Sequence, residues 1–262
     1  MLEKALAAMF IGAHLALALP ATGLEETMFA EARVLCPVLL RVPAESRGVP
    51  LVVGLHGKGG SADGFVPVWE AFAQPRPVLV VPEAPYPLLL EGGHMGWSWD
   101  FPSRDPRLWA RADPEVARYI LAVAREVRTA RETGGVYLLA HSQGVSYAFM
   151  AMVEDPGLVR GVIAFAGILP AEMLPDKSLA AAARRTRVFI AHGRQDQAIG
   201  LESSRKAKER LERLGFDVIL REFDGGHTIP PDVLQEAQRW IAATETAAKA
   251  RQVPGEPPRD TN

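Results

Sequence analysis

The chain has 262 residues, 48% of them hydrophobic, enough to bury one sizeable α/β core. Its 29 Lys and Arg stand against 31 Asp and Glu, a formal charge of -2, so no general attraction to nucleic acid is expected. The six histidines form no Cys/His cluster and no HExxH pattern, and the single cysteine, Cys36, excludes an intramolecular disulfide, so no metal site is expected.

Residues 5–19 are mostly apolar and lead into Pro20-Ala21-Thr22-Gly23, the outline of a short signal peptide. Against that, Lys4 is the one basic residue ahead of the run, Glu3 offsets it, and His14 interrupts the run. The run is also short for a membrane span, and no integral membrane association is expected. Residues 1–28 are read as a leader outside the fold or as a start placed upstream of Met28. A cytoplasmic location is favoured, with export the alternative if 1–23 act as a signal. The oligomeric state leaves no trace in the sequence.

A first strand is expected over 32–42, with Cys36 a buried structural thiol in the apolar setting Val34-Leu35-Cys36-Pro37-Val38. Residues 49–55 form a continuous apolar run, as in a strand covered on both faces. It opens into the glycine-rich loop His56-Gly57-Lys58-Gly59-Gly60-Ser61. A helix over 65–73 and a buried strand over 77–81 follow. Residues 82–113 show little periodicity but hold Tyr86, Trp97, Trp99, Phe101 and Trp109, and so read as a functional loop. Of these, Trp97 and Trp99 are candidates to line a substrate pocket.

Asp113-Pro114 signals the N-terminus of a helix to about 132, with Val116, Ile120, Val123, Ala124 and Val127 as its buried stripe. Strand 136–140, a helix to 154 and strand 161–166 come next. Residues 167–186 are expected to form a short cap. Strand 187–191, helix 201–214, strand 217–222 and helix 231–243 complete the alternation. One domain over 29–245, with a mostly parallel central sheet and helices on both faces, follows from that order. The charged, Pro-rich residues 246–262 read as a disordered tail.

The chemistry gathers on Ala140-His141-Ser142-Gln143-Gly144, where a buried strand runs straight into a small-residue helix. A serine at such a sharp turn has its hydroxyl thrust clear of the backbone, provided the residues two before and two after it are small. A serine hydroxyl attacks only when a base takes its proton and a partner holds that base. Asp196 follows one later strand in His192-Gly193-Arg194-Gln195-Asp196, and His227 follows the next in Asp224-Gly225-Gly226-His227. Ser142, Asp196 and His227 therefore stand in the order this topology requires. Asp224 is the rival acid, but three residues ahead of His227 it is better placed to shape the turn. The oxyanion of an acyl-transfer intermediate needs donors, assigned to the backbone N–H groups of Gln143 and Lys58. His56, His94, His141 and His192 are read as scaffold.

Together these motifs resemble the α/β-hydrolase superfamily and, within it, the phospholipase/carboxylesterase group. The resemblance spans about 51–241 and includes Gly225-Gly226-His227-Thr228-Ile229-Pro230 and the Trp97-Ser98-Trp99-Asp100 segment. It implies hydrolysis of carboxylic or thio esters, without a cofactor, by Ser142, Asp196 and His227. Small-molecule esters with short to medium acyl chains are the expected substrates, since the cap is short. A thioesterase, an oligopeptidase-type peptidase, a polyester depolymerase and a non-catalytic binding protein remain as alternatives. Two positions depart from the group: Ala140 replaces the first glycine of the turn, and Lys58 follows His-Gly where an apolar residue is usual. A Lys58 side chain facing the pocket would favour acyl chains that carry a negative charge.

Overall fold

Apolar runs that cannot face water on either side become the inner strands of a sheet covered twice. The computed structural model describes residues 34–252 apart from 104. The expected leader at 1–28 and residues 253–262 of the expected tail lie outside the described residues. Within the compact unit Leu35–Asn262, the elements are β1 (Val38–Arg41), β2 (Leu51–Leu55), α1 (Val66–Ala71), β3 (Val78–Pro82), β4 (Tyr86–Leu89) and β5 (Met95–Ser98). They continue through α2 (Pro106–Arg131), β6 (Val136–His141), α3 (Gln143–Glu154), β7 (Val159–Phe165) and α4 (Asp176–Ala183). The last four are β8 (Arg187–Gly193), α5 (Glu202–Arg213), β9 (Val218–Phe223) and α6 (Pro231–Gln252).

Seven strands form one sheet in the order β1-β3-β2-β6-β7-β8-β9, parallel throughout except for β1, which runs antiparallel to β3. Alternate side chains of each strand feed two separate cores. Leu51, Val53, Leu138, Ala140, Val162 and Ile190 pack with α2, α3 and α5 through Ile120, Ala148 and Leu211. Val52, Tyr137, Leu139, Ile163 and Phe189 point the other way, onto Phe65, Leu234, Trp240 and Ile241. The chain leaves β2 toward β3 on one side and returns at β6 on the other. That reversal opens a crevice at the carboxyl ends of β2 and β6, the place where open α/β sheets bind ligands.

Four expectations need correction. Residues 82–113 contain a two-stranded antiparallel hairpin, β4–β5, rather than irregular loop alone. Helix α2 begins at Pro106, capped by the Asp105 side chain on Arg107 N–H at 2.9 Å, and passes through Pro114 without ending. Two Asp-Pro pairs offer the same start signal, and the upstream one is used. At the far end, α6 runs to Gln252, with Thr244 and Glu245 buried, so the first part of the expected tail is helix. Cys36 is half-buried rather than buried, and precedes β1 instead of lying in it. Burial pushes its thiol up, away from the reactive thiolate.

Candidate active site

β6 delivers Ser142 to the head of the crevice. Its backbone sits at φ 54°, ψ -122°, a conformation costly for a residue with a Cβ and held by its surroundings. Ser142 N–H donates to Phe165 O at 3.0 Å, and Ser142 O accepts from Val145 N–H at 3.1 Å. Gly144 lets α3 lie directly on β2: a Cβ there would meet Leu55 O at 2.5 Å. Ala140, completely buried, is small enough to stand where a glycine is usual.

β8 and β9 bring up the other two side chains. Beyond their ends the loops are zipped together, Arg194 N–H to Phe223 O and Gln195 N–H to Gly225 O, each at 2.9 Å. His227 Nδ1 donates to Asp196 Oδ2 at 2.8 Å, which leaves Nε2 of the neutral ring as the acceptor. The His227 ring lies 4.7 Å from that of His141, the residue before Ser142, which sets the hydrogen-bonded His227–Asp196 pair beside the strand end that leads into Ser142. Burial pushes the Asp196 carboxyl up, but the N–H groups of Ile199, His227 and Ala198 outweigh it and hold the group below its usual range. The other acids near these loops are engaged elsewhere: Asp224 with Arg194 at 2.9 Å, Asp176 with Arg210 and Asp217 with Arg187, each at 2.6 Å.

Of the remaining histidines, His192 and His56 are held by hydrogen bonds. His192 is fully buried, with Nδ1 on Ser204 Oγ and Nε2 on Ile199 O, both 2.7 Å, and so fixes the turn that carries Asp196. His56 Nδ1 donates to Gly57 O at 2.8 Å, and its Nε2 faces Glu83 Oε1 at 3.0 Å. Burial pushes His56 down and Glu83 up, so both directions favour a neutral pair over an ion pair. His141 is pushed down to about 4, first by burial and then by the neighbouring His227. His94 is exposed.

The glycine loop closes the crevice from the β2 side. A Cβ on Gly57 would stand 3.1 Å from Ser142 Cβ. Gly59 N–H donates to Trp97 O at 2.8 Å and Trp97 N–H to Gly60 O at 3.0 Å, so the loop is laced to β5. Neither Lys58 N–H nor Gln143 N–H donates to another group among the described residues. Trp97 is half-buried. Trp99 is fully buried and cannot meet a substrate at an open surface; its indole N–H donates to His56 O at 2.8 Å.

Sequence reasoning missed what holds Gln143. Its Oε1 accepts from Trp99 N–H at 3.0 Å and its Nε2 donates to Ser98 Oγ at 3.1 Å. One turn on, Tyr147 OH lies 3.0 Å from Asp100 Oδ1 and 2.8 Å from Asp113 Oδ1. The four-residue spacing of Gln143 and Tyr147 puts both on one face of α3, a signal readable in advance. Among the described residues no group of three His, Cys, Asp or Glu is placed to hold a metal ion, and no helix is long and apolar enough to cross a membrane.

A largely parallel sheet flanked by helices, with a strained serine between strand and helix and later-strand residues around it, defines an α/β-hydrolase fold. A family model described as phospholipase/carboxylesterase matches residues 42–245, and the chain belongs to that family. A rice protein (Oryza sativa subsp. japonica) described as a probable inactive carboxylesterase is 28% identical over 216 residues, covering 76% of this chain and 87% of its own. A second rice protein, a probable carboxylesterase, is 25% identical over 217 residues, covering 76% and 89%. The crystal structure of esterase PE8 superposes with a TM-score of 0.64 at 25% identity, covering 80% of this chain and all of the other.

Proposed function

We propose that the protein is a serine esterase that cleaves carboxylic esters with short to medium acyl chains through an acyl-enzyme on Ser142. The observation that carries this reading is the 2.8 Å hydrogen bond from His227 Nδ1 to Asp196, made beside a serine held at positive φ. In that arrangement Asp196 fixes the tautomer of His227, whose Nε2 takes the proton as Ser142 Oγ attacks the ester carbonyl. The carbonyl electrons move to oxygen, and the unpaired N–H groups of Gln143 and Lys58 receive that charge. The helix dipole of α3 adds to the first of them. His227 then gives its proton to the departing alcohol, and the same base activates the water that clears the acyl group. Trp97 is the aromatic side chain assigned to the substrate, and Trp99 supports the loop from beneath.

One relative is described as inactive, so a non-catalytic role is the reading to beat. Retention of Ser142, Asp196 and His227 together argues against it. The test is hydrolysis of 4-nitrophenyl esters from acetate to dodecanoate by the wild type and Ser142→Ala. Turnover that falls by at least about 1,000-fold in the variant supports the esterase, and its chain-length profile sizes the pocket. A folded wild type inert on every ester, and unlabelled by a fluorophosphonate probe, would overturn it.

A further inference from the structure

Lys58 places a cation in the glycine loop that abuts Ser142. Its side chain is exposed and makes no ion pair among the described residues. Glu83, an acid near this loop, is already engaged by His56 and by Ala62 N–H at 2.9 Å. The backbone around Lys58 is fixed: Gly57 abuts Ser142 on one side, and Gly59 is hydrogen-bonded to Trp97 on the other. Successive Cα atoms are about 3.8 Å apart, so the Lys58 Cα stands one residue from a backbone already touching the serine. The flexible four-carbon stem then lets the ammonium reach roughly 6 Å in any open direction from a backbone next to Ser142.

We propose that Lys58 is a specificity-determining residue, and that the preferred substrates are esters bearing a carboxylate or similar anion a few bonds from the scissile carbonyl. The inference rests on the esterase reading above. A lysine at an exposed site loses little hydration, and no ion pair among the described residues already occupies its charge. Two unit charges about 6 Å apart at the edge of a protein attract strongly enough for a preference of roughly tenfold. A neutral chain of the same length gains nothing from that charge. Salt should screen that attraction.

The experiment compares kcat/KM for mono-(4-nitrophenyl) adipate with that for 4-nitrophenyl hexanoate, which places the charge on the acyl side. A second pair, the hexanoates of 3-carboxy-4-nitrophenol and of 4-nitrophenol, places it on the alcohol side. The anionic-to-neutral ratio is read for wild type, Lys58→Met, Lys58→Arg and Lys58→Glu, because any effect on the shared backbone donor cancels in a ratio. In at least one pair the wild type should favour the anion by roughly tenfold, Lys58→Arg should keep that preference, Lys58→Met should erase it and Lys58→Glu should invert it. High salt should compress the wild-type ratio and leave that of Lys58→Met flat. Ratios that do not change across the four proteins, with neutral esters still cleaved, overturn the role of Lys58 and leave the esterase standing. A wild type that cleaves none of the four esters removes both.

Discussion

At the scale of single residues, the site holds the His227–Asp196 hydrogen bond and, one turn on from Gln143, a network that shares too few protons. Tyr147 has one hydroxyl proton, yet carboxyl oxygens of Asp100 and Asp113 both lie within hydrogen-bond distance of it. If both acids were ionised, only one could be served. Asp113, almost fully buried, is the one whose pKa is raised: burial pushes it up most, its bond to Tyr147 pulls back, and the charge of Asp100 adds a smaller push upward. A group with a raised folded pKa lends stability below its unfolded value, about 3.9, and loses it as pH climbs through the folded value. Asp113→Asn keeps an acceptor for Tyr147 and removes the titration. Melting temperature plotted from pH 4 to 7 should therefore fall less, or rise more, in Asp113→Asn than in the wild type. Identical slopes would mean that Asp113 is charged throughout. Tyr147 packs on Trp99 and Asp100 N–H donates to Ser98 Oγ, and these same two residues hold the Gln143 side chain, so the titrating pair adjoins the proposed oxyanion donors.

At the scale of elements, the site depends on loops that approach more closely than side chains allow. A Cβ on Gly193, the last residue of β8, would lie 2.3 Å from Gly225 O and 2.4 Å from Gly226 O. Both obstacles are backbone, and both belong to the turn that carries His227. Gly193→Ala should therefore push that turn away from Asp196, cost about 1–3 kcal/mol by overpacking, and cut kcat far more than it raises KM. An unchanged kcat with only a lower melting temperature would show that the turn adjusts without moving the ring. These contacts also explain what was legible in advance. Strands β2, β3, β6, β7 and β8 could be read because continuous burial leaves a continuous apolar record. Ser142 and Asp196 could be placed because each follows such a strand, whereas His227 follows the half-buried β9 and is legible from the Asp224-Gly225-Gly226 turn ahead of it. The hairpin β4–β5 could not: Tyr86-Pro87-Leu88-Leu89 has a proline in a two-stranded edge, and its partner, Met95-Gly96-Trp97-Ser98, is too short for a period to show. The role of Trp99 was hidden for another reason, since an indole beneath the loop and one facing substrate leave the same letter in the sequence.

At the scale of the whole molecule, the two ends of the sheet have different tasks. The candidate site lies at the carboxyl ends of the strands, whereas the amino ends are tied to the last helix. Glu245 of α6 accepts from Tyr137 OH at 2.8 Å and pairs with Arg160 at 2.6 Å, joining the helix to β6 and β7. Tyr137 is fully buried and its hydroxyl is held protonated by burial and by the Glu245 charge, so it has no alternative acceptor in water. Arg160 is 27% exposed and can turn to solvent if its partner is lost, which tempers the cost. Glu245→Ala should then destabilise the fold by about 2 kcal/mol, chiefly from the stranded tyrosine hydroxyl. Glu245→Gln, which keeps an acceptor, should cost less, and Tyr137→Phe made together with Glu245→Ala should recover part of the loss. Five residue steps of about 3.3 Å each lead from Tyr137 to Ser142, so this anchor stands roughly 16 Å from the serine. Ester turnover measured well below the melting temperature should thus be unaltered in Glu245→Ala while thermal unfolding shifts down. A loss of kcat matching the loss of stability would instead mean that α6 and the crevice move as one body.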